Sequence, residues 1–456
     1  MRSSALSLLA LAAACGGAGS SSSSSTRAGA PTTPTRTTAI TWSVDDLPGA
    51  LAAARAKKVP VFVDAWALWC HSCLSMQSYV LKDPALAPMA ERYVFAALDT
   101  ERPGNEAFIV TYPIDNYPTF FILDPDDGSV AGRWVGTMSV TQVRAFLEEG
   151  ERTVQLAHAG RLAPNDPLAR LLAGDRAAIA KQHGQAAQHY AAALEIAPPT
   201  WPRRAEALYG QLRETARDGN AARCVDLALG AMGTTGNGPN AADFAAQGVE
   251  CADDLPETDP RVARVRRAAL DRLTALAQDA AAPLSADARG DIWRMVWELR
   301  EKSGDKAGAR AAARSRLTAL DEAAAAAPDA QAASTFDWAR AESMLYLGQG
   351  VDAVLMLQKS EAGLPTDYNP PARLARVYLE LGSYNDGLAA ADRALERAYG
   401  PRKTTILATK ADLLVKVGRV ADARKAVEEQ LAILRALPVR KPASEKAAEE
   451  KLQRLK

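Results

Sequence analysis

The chain has 456 residues, too many for one ordinary core, so two or more domains are expected. Lys+Arg and Asp+Glu number 54 each, which leaves no global field to favour nucleic acid or an acidic partner. Aromatic residues make up only 6% while alanine crowds the second half, a composition that suits closely packed helices.

Met1-Arg2-Ser3-Ser4, followed by the apolar Ala5 to Ala14, reads as a secretory signal too short to be a stable membrane anchor. Residues 1–15, ending Leu11-Ala12-Ala13-Ala14-Cys15 before Gly16-Gly17, resemble a bacterial lipoprotein signal, with the leucine four rather than three places before the cysteine. The resemblance implies an acylated Cys15, and Gly16 in place of aspartate implies outer-membrane retention. An exported, periplasmic protein held to the membrane by N-terminal lipid alone is therefore expected. The alternative is a cleaved signal with an incidental cysteine. Residues 16–38 are rich in Ser, Gly, Thr and Pro and cannot order themselves by burial. They form a tether with a mean reach of about 25–30 Å. No later segment has roughly 18 uninterrupted apolar residues, so nothing else is expected to span a bilayer.

Residues 39–152 read as an α/β domain. Ser43 to Lys57 carries Leu47, Ala50, Leu51 and Ala54 on one face, a helix with Pro48 in its first turn. Val61 to Val63 is β-branched and aromatic without alternation, which predicts a strand buried on both faces. Apolar spacing from Ser75 to Leu81 predicts a helix, so Cys70-His71-Ser72-Cys73 falls where strand hands over to helix. Unpaired N–H groups and the helix dipole favour an anion there, and the Cys70 thiolate is the form that attacks disulfides. Tyr93 to Leu98 and Phe120 to Leu123 predict further strands, Val130 to Val135 an edge strand, and Thr141 to Leu147 a closing helix.

Phe62-Val63-Asp64, Trp66, Ala67, Trp69-Cys70-His71-Ser72-Cys73, Tyr117-Pro118-Thr119, Gly128 and Gly136 resemble the landmarks of the thioredoxin superfamily in order and approximate spacing. The continuation Val80-Leu81-Lys82-Asp83-Pro84-Ala85-Leu86 is similar to the C-terminal domain of DsbD-type thiol:disulfide interchange proteins. The resemblance covers about a quarter of the chain. It implies that Cys70 attacks, that the more buried Cys73 resolves the mixed disulfide, and that Pro118 is a cis proline offering backbone to a substrate. Asp64, a carboxylate in a buried run, reads either as a solvated strand end or as a raised-pKa group exchanging protons with Cys73. Trp66 and Trp69 read as packing and rim residues. His71-Ser72 replaces the Gly-Pro of the pattern, and a protonated His71 would stabilise the thiolate and make the disulfide more oxidising; the alternative is a merely exposed imidazole. A zinc site needs two more ligands, and His158, His183 and His189 supply no compact pair, so no metal and no cofactor is assigned.

From 157 to 440 the pattern is helical throughout. Leu347-Gly348, Leu381-Gly382 and Val417-Gly418 open similar blocks 34 and 36 residues apart, each with a small residue five places on, Ala353, Gly387 and Ala423. Leu374, Ala375, Tyr378, Gly382 and Ala394, and earlier Gly174, Ala186, Tyr190, Ala193-Leu194 and Pro198, resemble the tetratricopeptide pattern. The resemblance implies an α-solenoid, degenerate between about 201 and 340, offering a surface to a protein partner; a spacer that binds nothing is the alternative. Cys224 and Cys251, left over in an exported chain, form either a structural disulfide or two buried thiols. Residues 441–456 read as a solvated, charged tail.

Together these readings describe a cell-envelope thiol–disulfide oxidoreductase. It acts on protein disulfides or thiols, is served by an external redox partner protein, and uses its repeats to recruit substrate. The other reading is an interaction scaffold whose thioredoxin-like head only binds.

Overall fold

The computed structural model describes residues 40–455. The expected signal, Cys15 and the 16–38 tether lie outside them. The sheet domain comprises β1 (Trp42–Val44), α1 (Leu47–Lys57), β2 (Val61–Trp66), α2 (His71–Ser75), β3 (Val94–Asp99), α3 (Glu106–Thr111), β4 (Thr119–Leu123), β5 (Val130–Val135) and α4 (Val140–His158). The strand order is β1-β3-β2-β4-β5, parallel through β1, β3 and β2 and antiparallel onward. β2 is central and wholly apolar except for Asp64, as a strand covered on both faces must be.

Period-two alternation sends Val61, Val63 and Ala65 into one core with Leu98, Phe108 and Phe121, beneath α1 and α3. Phe62 goes the other way, stacking on Phe120 at 5.6 Å and meeting Phe146 of α4 edge-on at 6.4 Å. Asp64 shares the face of Phe62. β1 was not expected, because three residues carry no periodic signal; it exists by pairing with β3. α4 runs well past the expected Leu147 and through the boundary drawn at 152, since Thr153 and Val154 are still buried beneath it.

The helical domain follows without a break. α5 (Pro167–Ile179), α6 (His183–Ile196), α7 (Arg204–Arg217), α8 (Ala221–Ala231) and α9 (Pro239–Asp253) come first. Next are α10 (Pro260–Gln278), α11 (Ala286–Lys302), α12 (Lys306–Ala325) and the short α13 (Ala330–Ser334). α14 (Asp337–Leu347), α15 (Gly350–Gly363), α16 (Asn369–Leu381), α17 (Tyr384–Arg397), α18 (Arg402–Lys416), α19 (Val420–Ala436) and α20 (Pro442–Arg454) complete a stack of consecutive paired helices. Gly348, Gly382 and Gly418 sit at φ of 82°, 78° and 77°, the left-handed conformation that ends α14, α16 and α18. Five residues on, Ala353 and Ala423 are wholly buried, and a Cβ on Gly387 would stand 2.7 Å from Leu413 Cδ2. Small residues there let paired helices cross closely. Regular helices also fill the stretch from 201 to 340, where no register was legible.

The 441–456 segment is not a solvated tail. α20 buries Ala448, packs Leu452 against the core, and donates from Lys451 Nζ to Ala408 O at 2.9 Å. Three apolar positions at helical spacing, Ala448, Leu452 and Leu455, form the stripe that holds it. None of the described helices is long and apolar enough to cross a membrane.

The two domains form one compact unit. Buried Arg203, at the start of α7, binds Glu206 and reaches Glu149 of α4 at 2.8 Å. At the far end Tyr399 donates to Asp99 of β3, Tyr368 to Glu101 at 3.4 Å, and Asn369 to Leu68 O at 3.0 Å. The sheet domain is thus fastened to both ends of the helical run, through α4 and α7 at one end and through β3 and the α16 to α18 region at the other.

Candidate active site

Cys70 caps α2, its Sγ accepting the Cys73 backbone N–H at 3.1 Å and lying 3.4 Å from Ser72 Oγ. The two sulfurs are joined, with an S–S distance of 2.14 Å. The helix begun at His71 continues as a π-helical turn over Met76–Val80, which carries Gln77 beneath β2. Gln77 Nε2 donates to Asp64 Oδ2 at 2.8 Å, while Asp64 Oδ1 is buried without a partner among the described residues. Burial dominates this balance, and the Asp64 carboxyl is pushed up to about 7 despite the Gln77 bond. The side chain is fully buried, so the solvated strand end does not describe it. The Tyr117–Pro118 peptide bond is cis. Tyr117 packs edge-on to Trp69 at 5.2 Å, and Trp69 Nε1 donates to Glu101 Oε1 at 2.9 Å. Burial pushes the Glu101 carboxyl up to about 7 as well.

His71 is not a free imidazole. Its Nδ1 lies 2.9 and 3.1 Å from the two oxygens of Asp287 on α11, and its Nε2 lies 3.9 Å from Asp291. Burial pulls its pKa down, but Asp287 and Asp291 together outweigh that and push it up to about 9. The imidazolium is therefore the form present at neutral pH, held between two carboxylates of the helical domain. His71, Asp287 and Asp291 are also close enough to share a metal ion, but each ring nitrogen already faces its own carboxylate, the arrangement of an ion pair.

α11 and α9 also close the site from above. Cys70 is 3% exposed and Cys73 not at all. A cavity of about 440 Å³ is lined by Trp69 and His71 on one side and by α11, α14, α16 and α18 on the other. A smaller one, of about 140 Å³, lies between Ser72, Tyr117 and Pro118 and the Ala242, Asp243 and Ile292 side chains of α9 and α11. Asp291 and Met295 line both, so the two adjoin as one cleft, and the chain neighbours of Cys70 line it, Trp69 and His71 in the larger part and Ser72 in the smaller. Asp243 Oδ2 is buried without a partner among the described residues, and burial pushes this carboxyl up to about 7.

Sequence reasoning brought together Cys70, Cys73, Asp64, Pro118 and Trp69, and the structure places all five here, with Ser72. It missed Glu101, Asp243, Asp287, Asp291, Arg376 and Arg402. The only local signal was Arg373 and Arg376, three apart on α16; Trp338 and Arg402 lie on α14 and α18, and no local pattern joins them to it. Cys224 and Cys251 lie away from the cleft and are joined, with an S–S distance of 1.97 Å, between α8 and α9.

Residues 41–125 match the model of a family described as thioredoxin-like. A thiol:disulfide interchange protein DsbD of Vibrio vulnificus is 30% identical over 115 residues, 24% of this chain and 18% of that protein. Protein disulfide-isomerase 1 of Dictyostelium discoideum is 30% identical over 95 residues, 20% of this chain and 25% of that protein. The chain thus spans a quarter or less of the length of these relatives. Among solved structures, a tetratricopeptide repeat protein from Parabacteroides merdae is similar with a TM-score of 0.42 and 10% identity, covering 63% of this chain and 98% of that one. A tetratricopeptide protein of Thermus thermophilus gives a TM-score of 0.26 and 16% identity, covering 55% of this chain and 99% of that one.

Proposed function

We propose that the protein is a thiol–disulfide oxidoreductase of the cell envelope, exported and held at the outer membrane through lipid on Cys15. The observation that carries this reading is the joined Cys70–Cys73 pair at a helix start, with the unpartnered, raised carboxyl of Asp64 buried beneath it. In the reduced state the Cys73 N–H and the helix N-terminus stabilise the Cys70 thiolate, the nucleophile of disulfide exchange. Cys70 attacks a substrate disulfide, Cys73 displaces the reduced substrate, and Asp64 takes the proton that Cys73 must lose. Pro118 and Tyr117 wall the cleft where the substrate sulfur arrives. Electrons reach the pair from an external redox protein. The helical stack encloses the site and selects what enters it.

Insulin-disulfide reduction tests the reading. Cys70→Ala abolishes it while leaving the fold intact; full activity in that variant leaves only the scaffold reading. Release of the protein from membranes by Cys15→Ala tests the anchor separately.

A further inference from the structure

The larger half of the cleft has an unbalanced charge. Three of its arginines are answered by carboxylates: Arg294 by Glu298 at 2.5 Å, Arg316 by Glu342 at 2.6 Å and Arg373 by Asp337 at 3.7 Å. Two are not. Arg376 lies over the Trp338 ring at 5.2 Å, Arg402 lies over Trp69 at 5.6 Å, and neither has a salt-bridge partner among the described residues. The Arg402 Nε is buried and unpartnered, and so is that of Arg316, which lines the same cavity. A buried guanidinium N–H without an acceptor costs on the order of 1–3 kcal/mol, which a carboxylate ligand would recover through charge-assisted, paired hydrogen bonds. The ring beneath Arg402 belongs to Trp69, the residue that precedes Cys70.

The size of the opening decides the ligand class. Cys70 is almost wholly covered, and the cavity of about 440 Å³ falls in the range of small-molecule sites. With α11 over that sulfur, a disulfide small enough to enter the cavity reaches it faster than one carried on a bulky protein.

We propose that the cleft takes a small carboxylate-bearing thiol or its disulfide, of about tripeptide size, with Arg376 and Arg402 holding its carboxylates and its sulfur meeting Cys70. This rests on the oxidoreductase reading and names its substrate. From the oxidised pair seen here, a ligand thiolate attacks Cys70 Sγ, the Cys70–Cys73 bond breaks, and Cys73 leaves and takes a proton from Asp64. A second ligand thiolate attacks the ligand sulfur of the mixed disulfide, releasing the ligand disulfide and the Cys70 thiolate. Two ligand thiols are oxidised by two electrons, the protein pair is reduced by two, and the protons the ligands give up match those the cysteines and Asp64 take back. Run backwards, the same steps reduce the ligand disulfide.

The test measures how fast the oxidised pair of the full chain is reduced, by timed alkylation, with three thiols corrected for thiolate fraction. Reduced glutathione carries two carboxylates, 2-mercaptoethanol is neutral and cysteamine is cationic. The expected order is glutathione fastest and cysteamine slowest. Arg376→Gln and Arg402→Gln each lower the glutathione to 2-mercaptoethanol rate ratio about tenfold, as loss of a charged hydrogen bond does. Arg424→Gln, on the exposed face of α19, leaves the ratio unchanged. Arg376 is itself solvent-exposed, so its variant folds and keeps the test decisive. Equal corrected rates for the three thiols overturn the proposal, as does a preference that survives both arginine changes. These failures differ from failure of the underlying reading, in which not even dithiothreitol reduces the pair.

Discussion

Asp64 sets stability against chemistry, and the conflict is measurable. Its carboxyl is raised from 3.8 to about 7 chiefly by burial, so the folded protein holds a proton there that the unfolded chain releases at a much lower pH. A folded-state pKa above the unfolded one makes stability fall as pH rises from about 4 through 7, because the unfolded chain ionises freely and the folded one does not. At about 1.4 kcal/mol per pH unit, this group costs about 4 kcal/mol at pH 8 and about 2 kcal/mol at pH 5. Asp64→Asn removes the titration. Its buried amide keeps an acceptor for Gln77 Nε2 but adds a donor with no partner, a penalty that is the same at both pH values. The difference between the two proteins should therefore move by about 2–3 kcal/mol in favour of the variant between pH 5 and pH 8. Urea denaturation of the oxidised protein and variant at the two pH values reads it directly. The variant should also lose the step in which Cys73 gives up its proton, slowing insulin reduction at pH 8 by about a hundredfold or more. A stability difference that is flat in pH refutes the assignment of the raised carboxyl, whatever the activity does.

Two further perturbations test the docking of the domains and the helical stack. His71, raised to about 9, stabilises the docked state fully below pH 6.5, and that contribution is lost as pH rises through 9. Asp287→Asn should thus cost up to about 3 kcal/mol at pH 6 and little at pH 10, read by denaturation midpoints at each pH; an equal cost at both would deny the ion pair. The Cys224–Cys251 disulfide closes 27 residues of chain, so the double alanine variant should lose about 3.5 kcal/mol by loop-closure entropy, with the redox activity of Cys70 untouched. A stability unchanged by reduction of that bond would refute it.

What was legible in the sequence was what short-range chemistry writes. Val61 to Cys73 announces itself because a buried strand needs an unbroken apolar run, and Asp64 stands out as the one carboxylate inside it. The glycines at 348, 382 and 418 were readable because only a left-handed cap recurs at that spacing before a small residue. Docking was not readable. His71 and Asp287 are separated by 216 positions, and nothing local marks either as the partner of the other. β1 failed for the opposite reason, its local signal being too slight to show and its pairing with β3 fixing it, whereas the last helix was legible as a helix and only its burial on α19 and α18 was not.

The docking also changes what His71 can do to the redox pair. Read from sequence, an imidazolium beside Cys70 is a lone positive charge that favours the thiolate and pushes the disulfide toward the oxidising end. In the structure that charge faces Asp287 and Asp291 across distances of 2.9 and 3.9 Å, so Cys70 meets the field of an ion pair rather than of a cation. An opposed pair falls off faster with distance than a single charge, and the stabilisation of the thiolate shrinks accordingly. What His71 supplies instead is linkage. It adjoins Cys70 and bonds to the helix that covers it, so any preference of α11 for one redox state of the pair appears in the reduction potential by the same free energy, about 30 mV for each 1.4 kcal/mol. The potential of this pair is therefore a property of the docked chain, and the sheet domain measured without α11 should not reproduce it.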